Sequence, residues 1–150
     1  MSADDLTAVR LEEFLPYPPA QVWRALTEPE LLARWLMPGD FRLAAGHRYT
    51  MRAMPMPATG FSGVIQAEVL AFEQERMLKL RWRDADPEAA GGADWTITWT
   101  LAPERKGTRL SLAHEGFDPG NPLQQRARSI MGGGWKTGVT TRLREVLGDP

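Results

Sequence analysis

The order of apolar and polar residues divides the chain into four stretches with different periods. Residues 8–15 are short and apolar-rich, and they stop at Pro16, Pro18 and Pro19. Proline cannot keep donating to a ladder, so this predicts a first strand. Pro19 then opens a helical turn in which Val22, Trp23 and Leu26 fall on one side. Pro29 restarts a second short helix through Trp35 and Leu36, and Pro38-Gly39 ends it.

From Phe41 to about His114 the period drops to two, the signature of an antiparallel meander of five or six strands. Tyr49 and Met51 alternate with Arg48, Thr50 and Arg52; Gly63 opens a mixed segment; Leu78, Leu80 and Trp82 alternate with Lys79, Arg81 and Arg83. The clearest alternation is Trp95-Thr96-Ile97-Thr98-Trp99-Thr100-Leu101. Gly107-Thr108 reads as a hairpin turn, and Leu110, Leu112 and His114 return on the apolar face. A one-sided sheet needs a cover. The cover follows last: Leu123, Ala127, Ile130, Met131, Trp135, Val139, Leu143, Val146 and Leu147 recur at helical spacing. Gly132-Gly133-Gly134 interrupts this stripe, which predicts a kink or loosening in mid-helix. Residues 55–60 and 84–94 are rich in Pro, Gly, Ala and Asp and read as mobile loops.

These elements predict an α+β chain: a curved antiparallel sheet of about six strands wrapped on a long C-terminal helix, with two short helices after the first strand. The 150 residues suit one domain spanning 1–150.

Composition removes several chemistries. Eighteen basic and nineteen acidic residues give a formal charge of −1, so no net field draws the chain to nucleic acid. Without cysteine there is no disulfide, thiolate nucleophile or cysteine metal site, and two histidines are too few for a histidine-rich metal centre. Neither a cofactor nor a metal is expected. Residues 1–6 do not read as a signal peptide, and no stretch reaches the roughly 20 apolar residues of a membrane span, so no membrane insertion and a cytoplasmic location are expected.

The order strand, two short helices, meander, long helix resembles the START-like helix-grip (SRPBCC) superfamily. The local wording is similar to one branch, the C-terminal domain of the activator of heat-shock protein ninety ATPase. The matching stretches are Pro18-Pro19-Ala20-Gln21-Val22-Trp23-Arg24-Ala25-Leu26-Thr27-Glu28-Pro29-Glu30, Trp35, Gly63, Gly107-Thr108-Arg109-Leu110, His114-Glu115-Gly116-Phe117 and Gly134-Trp135. A Gly-Gly pair usual in that branch is here Ala45-Gly46-His47. The resemblance implies a helix-grip fold with a cavity between sheet and helix. It transfers no catalytic residue, because members include lipid and polyketide binders, cyclases and co-chaperone domains.

Tyr49, Met51, Trp82, Trp99, Met131 and Trp135, together with Trp95, converge on the space between sheet and helix. They form either a solid core or the wall of an apolar pocket. His114 is the polar candidate there, as a ligand anchor or weak acid/base, against a structural histidine bonded to backbone at the strand end. Glu115 points to the other face, His47 sits in a turn, and no nucleophile and base constellation is readable, so no catalytic residue is nominated. Arg48, Arg52, Lys79, Arg81 and Arg83 occupy the opposite phase and should form a solvated convex face. The leading expectation is a binder of a small hydrophobic molecule, lipid- or polyketide-like. A cyclase-like or hydrolase-like enzyme using the same pocket and a chaperone-interacting regulator are the alternatives. Monomer or weak homodimer is expected, the latter through the first strand edge or Trp35-Leu36-Met37.

Overall fold

A computed structural model describes residues 5–89 and 91–148. The leader reading of residues 1–6 therefore falls mostly outside the described residues. Six strands form one antiparallel sheet in the order β1-β6-β5-β4-β3-β2. They are β1 (Ala8–Leu15), β2 (Arg48–Arg52), β3 (Val64–Glu73), β4 (Met77–Asp84), β5 (Asp94–Glu104) and β6 (Gly107–Glu115). Helices α1 (Pro19–Thr27) and α2 (Pro29–Trp35) follow β1, and α3 (Pro122–Thr137), a π-helical turn (Gly138–Leu143) and α4 (Arg144–Gly148) close the chain. The helix-grip architecture is the one expected.

Period-two alternation produces the one-sided sheet. Along β5, Trp95, Ile97, Trp99 and Leu101 are buried while Asp94 and Thr100 are exposed. Cross-strand register then aligns apolar residues in rows, such as Trp82 opposite Trp95 and Ile97 opposite His114. Gly107 does not form the hairpin turn. It lies in β6 opposite Glu104, and a Cβ there would strike the Leu15 carbonyl oxygen; Arg105, at φ 54°, makes the turn. The loop predicted over residues 84–94 is shorter, because Asp84 ends β4 and Asp94 begins β5.

Helix α3 starts on Asn121, whose side chain accepts from the amides of Leu123 and Gln124 at 3.0 and 3.2 Å. Pro122 follows where its missing N–H costs nothing. The glycines do not interrupt it. Gly132, Gly133 and Gly134 lie within α3, and the departure from α geometry comes later, at Gly138–Leu143. The buried stripe is Ala127, Trp135, Val139, Leu143, Val146 and Leu147, whereas Leu123 and Ile130 are exposed.

Trp35 is buried, its indole N–H donating to the Ala25 carbonyl at 2.8 Å, so it is not part of an exposed contact segment. On the convex face two of the five basic residues, Arg48 and Arg81, are paired with carboxylates. Arg81 forks onto Asp94 through bonds of 2.8 and 2.6 Å, holding that carboxyl below its ordinary range, and Arg48 lies 3.5 Å from Glu68. Among the described residues no helix is long and apolar enough to cross a membrane.

Candidate functional site

The concave side of the sheet is filled unevenly. Trp99 meets Trp35 and Trp135 edge-on, with ring centroids 5.9 and 5.5 Å apart. Trp135 also lies 5.4 Å from Trp82 and donates its indole N–H to His114 Nδ1 at 2.9 Å. Phe117 and Trp95 close over the histidine at 4.7 and 5.0 Å. This region is solid aromatic core.

Beside it, at the end of the sheet where β3 begins, β4 ends and β5 begins, an apolar pocket of about 160 Å³ remains. Trp82, Trp95 and Ile65 form its sheet wall. Ala127, Ile130 and Met131 of α3 form the opposite wall. Phe61, Met56 and Met37 close the third side from the loops. The pocket exists because small residues, Ala93 and Ala127, stand where bulky ones would fill the gap. Met56 and Ile130, 37% and 40% exposed, mark a mouth open to solvent. Its volume resembles the roughly 150 Å³ dry cavity that takes benzene in a packed core.

Two charged residues border this space, the exposed Arg83 and the buried Asp84. Asp84 follows Trp82 by two residues on the same face of β4, is 6% exposed and lines the pocket. Its Oδ1 accepts from the Ser62 hydroxyl at 2.6 Å and the Asp86 amide at 2.9 Å, and its Oδ2 from the Ser62 amide at 2.9 Å. Those bonds tie the loop entering β3 to the end of β4. Gly63 permits the bend at φ 97°, with the Ala53 carbonyl oxygen only 3.0 Å from where a Cβ would sit.

Of the converging residues singled out from the sequence, the pocket brings together Trp82, Trp95 and Met131. Tyr49 is buried against Phe41 at 5.1 Å, and Met51, Trp99 and Trp135 belong to the packed core. His114 lies one aromatic layer away, fully buried behind Trp82 and Trp95. It is bonded to an indole rather than to backbone. Accepting at Nδ1 puts the proton of the neutral ring on Nε2, which has no partner among the described residues. Burial pushes its pKa down to about 3, so near neutral pH it is an uncharged core group with no substrate-accessible face. That leaves the cyclase-like or hydrolase-like reading without its proton carrier. No cluster of metal-ligating side chains exists among the described residues.

Sequence reasoning missed Asp84, Ile65, Phe61, Ala93 and Ala127. Asp84 did leave a signal: an acidic residue on the apolar phase of a strand, two positions after Trp82. The loop methionines carried none, because nothing periodic ties a loop to a face.

The protein MLL2253 from Mesorhizobium loti is similar over 94% of this chain and 96% of its own, with 35% identity and a TM-score of 0.82. NE0264 from Nitrosomonas europaea is 26% identical over 99% and 98%, at a TM-score of 0.73. DynU16, described as a putative protein in the dynemicin biosynthetic locus, shares the fold at 24% identity and a TM-score of 0.75. This chain covers 48% of it. No curated protein matches. Residues 16–148 match the model of the activator of Hsp90 ATPase homolog 1-like protein, and the chain belongs to that family.

Proposed function

We propose that the protein binds a compact apolar or aromatic molecule, in the pocket between the N-terminal half of α3 and the end of the sheet. The observation that carries this reading is an apolar volume of about 160 Å³, walled by Trp82, Trp95 and Met131 and opening at Met56 and Ile130. Three methionines at the pocket, Met37, Met56 and Met131, can repack around different shapes, because a flexible thioether chain fills irregular gaps. Small-molecule pockets are usually larger, about 300 Å³ or more. A single ring therefore fits the observed form, and a polyketide-sized body requires α3 or the Met56 loop to move outward.

The test is native mass spectrometry of protein purified from its own host, compared with an Ala127→Leu variant. Ala127 faces the void, so a larger side chain there fills it. A small molecule retained by the natural protein and lost from the variant supports the reading. Equal retention by both places the ligand elsewhere, and an interior empty in both under gentle isolation removes the reading's support.

A further inference from the structure

We infer that Asp84 makes this pocket selective for an apolar body that carries a hydrogen-bond donor, a hydroxyl or preferably an amine, at its inner end. The inference rests on the pocket reading above and goes beyond it by naming the chemistry of the occupant. A carboxylate offers about four lone-pair sites. Three donors reach Asp84, two at Oδ1 and one at Oδ2, so Oδ2 keeps one site open. Among the described residues no Lys, Arg or His is ion-paired with it, although it is 6% exposed and borders an otherwise apolar space. A buried charge with neither a counter-ion nor a full set of donors is an expensive arrangement. A ligand donor would complete the set, and an ammonium would supply the missing positive charge.

The neighbouring cation does not compete for this role. Arg83 is exposed and alternates to the other face of β4, where its charge acts on Asp94. Thr59, the other buried polar side chain at the pocket, gives its hydroxyl hydrogen to the Met56 carbonyl at 3.3 Å. The remaining walls are largely carbon and sulfur; the Trp82 indole N–H is buried without a hydrogen-bond partner among the described residues, and being a donor it cannot receive a donor carried by a ligand. Among the described charged residues that line the pocket, Arg83 and Asp84, Asp84 is the buried one and the acceptor, so it is the group that can orient a donor-bearing occupant. Its three loop bonds also serve a structural purpose, clamping Ser62 and Asp86, and the experiment must separate that purpose from recognition.

Four single-ring probes of similar size differ at the group that would meet Asp84: benzylamine, benzyl alcohol, toluene and benzoate. Trp82 and Trp95 line the space, so titrations can be followed by tryptophan fluorescence and checked by methionine-methyl NMR shifts. Benzylamine is expected to bind roughly ten- to a hundredfold tighter than toluene, benzyl alcohol in between, and benzoate least, because hydrogen bonds to charged groups are the strong ones. In Asp84→Asn the spread should collapse to within about threefold, since the charge is gone and the shape is kept. Equal affinity of the natural protein for toluene and benzylamine, or an unchanged order in the variant, overturns the inference while leaving the pocket reading intact. Should none of the four bind, toluene included, the inference falls together with the pocket. If Asp84→Asn fails to fold, the order of affinities in the natural protein still decides.

Discussion

Two regions of the same interior, built from the same strands and one helix, differ in what they contain. Around Trp135 and Trp99 the aromatic rings meet edge-on and leave no space. Around Trp82 and Trp95, about 160 Å³ stays empty. The sheet contributes tryptophan to both, so the difference comes from the opposing side. In the packed region α3 presents Trp135; in the hollow one it presents Ala127 and Met131. Periodicity decides which residues face inward, and side-chain volume decides whether the inside is full. A cavity in this fold is therefore a matter of which inward positions are kept small.

The largest effect should come from breaking the packed region. Trp135→Ala is expected to cost roughly 3–5 kcal/mol in urea unfolding, because it removes a buried indole and leaves His114 Nδ1 without its donor. Met131→Ala, half-buried beside a void that already exists, should cost less than about 2 kcal/mol. Equal costs would mean that the two regions are packed alike.

The second effect is a pH dependence. The folded pKa of His114 is about 3 and the ordinary value is 6.5. Below 6.5 the unfolded chain takes up a proton that the folded chain refuses. The stability contribution of the neutral ring is thus complete above pH 6.5 and is lost as pH falls towards 3. Unfolding measured at pH 7 and 4.5 should show roughly 2–3 kcal/mol of this loss, and His114→Gln should remove most of the slope.

Filling the hollow region sharpens the comparison from the other side. Ala127→Leu should change stability by less than about 1.5 kcal/mol in either direction, because the added carbons enter existing space. The same substitution at a site in the packed region would overpack it. The smallest effect is expected at Gly133. A Cβ there meets nothing within 4 Å, so the steric account of the glycine run fails at this position, and Gly133→Ala should raise stability by about 0.5–1 kcal/mol. If toluene exchange, followed by NMR, also slows in this variant, the glycines act as the flexible side of the pocket mouth. Unchanged exchange would confine their effect to helix propensity.

The strands were readable because Trp95-x-Ile97-x-Trp99-x-Leu101 leaves no other period, and α1 and α2 because proline marks each start. The packed core was readable for the same reason. What the sequence hid were distances between elements. Tyr49, Trp99 and His114 face inward like Trp82, yet only Trp82 borders the void. The gap depends on how far α3 stands from the start of β5, and no single segment encodes that. The turn at Gly107 was misplaced because glycine suits both a turn and a close approach, and here the Leu15 carbonyl demands the second.

The π-helical turn at Gly138–Leu143 has its own consequence for chain length. In an α-helix of 3.6 residues per turn, a step of four residues over-rotates by about 40°. Ala127, Met131, Trp135, Val139 and Leu143 are four such steps, which would carry Leu143 about 160° away from Ala127. Wider i to i+5 winding takes up part of that drift, and Val139 and Leu143 stay buried. From Trp135 to Leu143 the helix thus holds one residue more than two ordinary turns require. Deleting a single exposed residue there, Thr141, should let the segment relax to plain α-helix with Leu143, Val146 and Leu147 still facing inward and Gln21 still bonded to the Leu147 carbonyl. The same deletion one turn earlier, within α3, would rotate every later apolar residue by about 100° and detach the end of the chain from α1. Length polymorphism in this helix has a single permitted address.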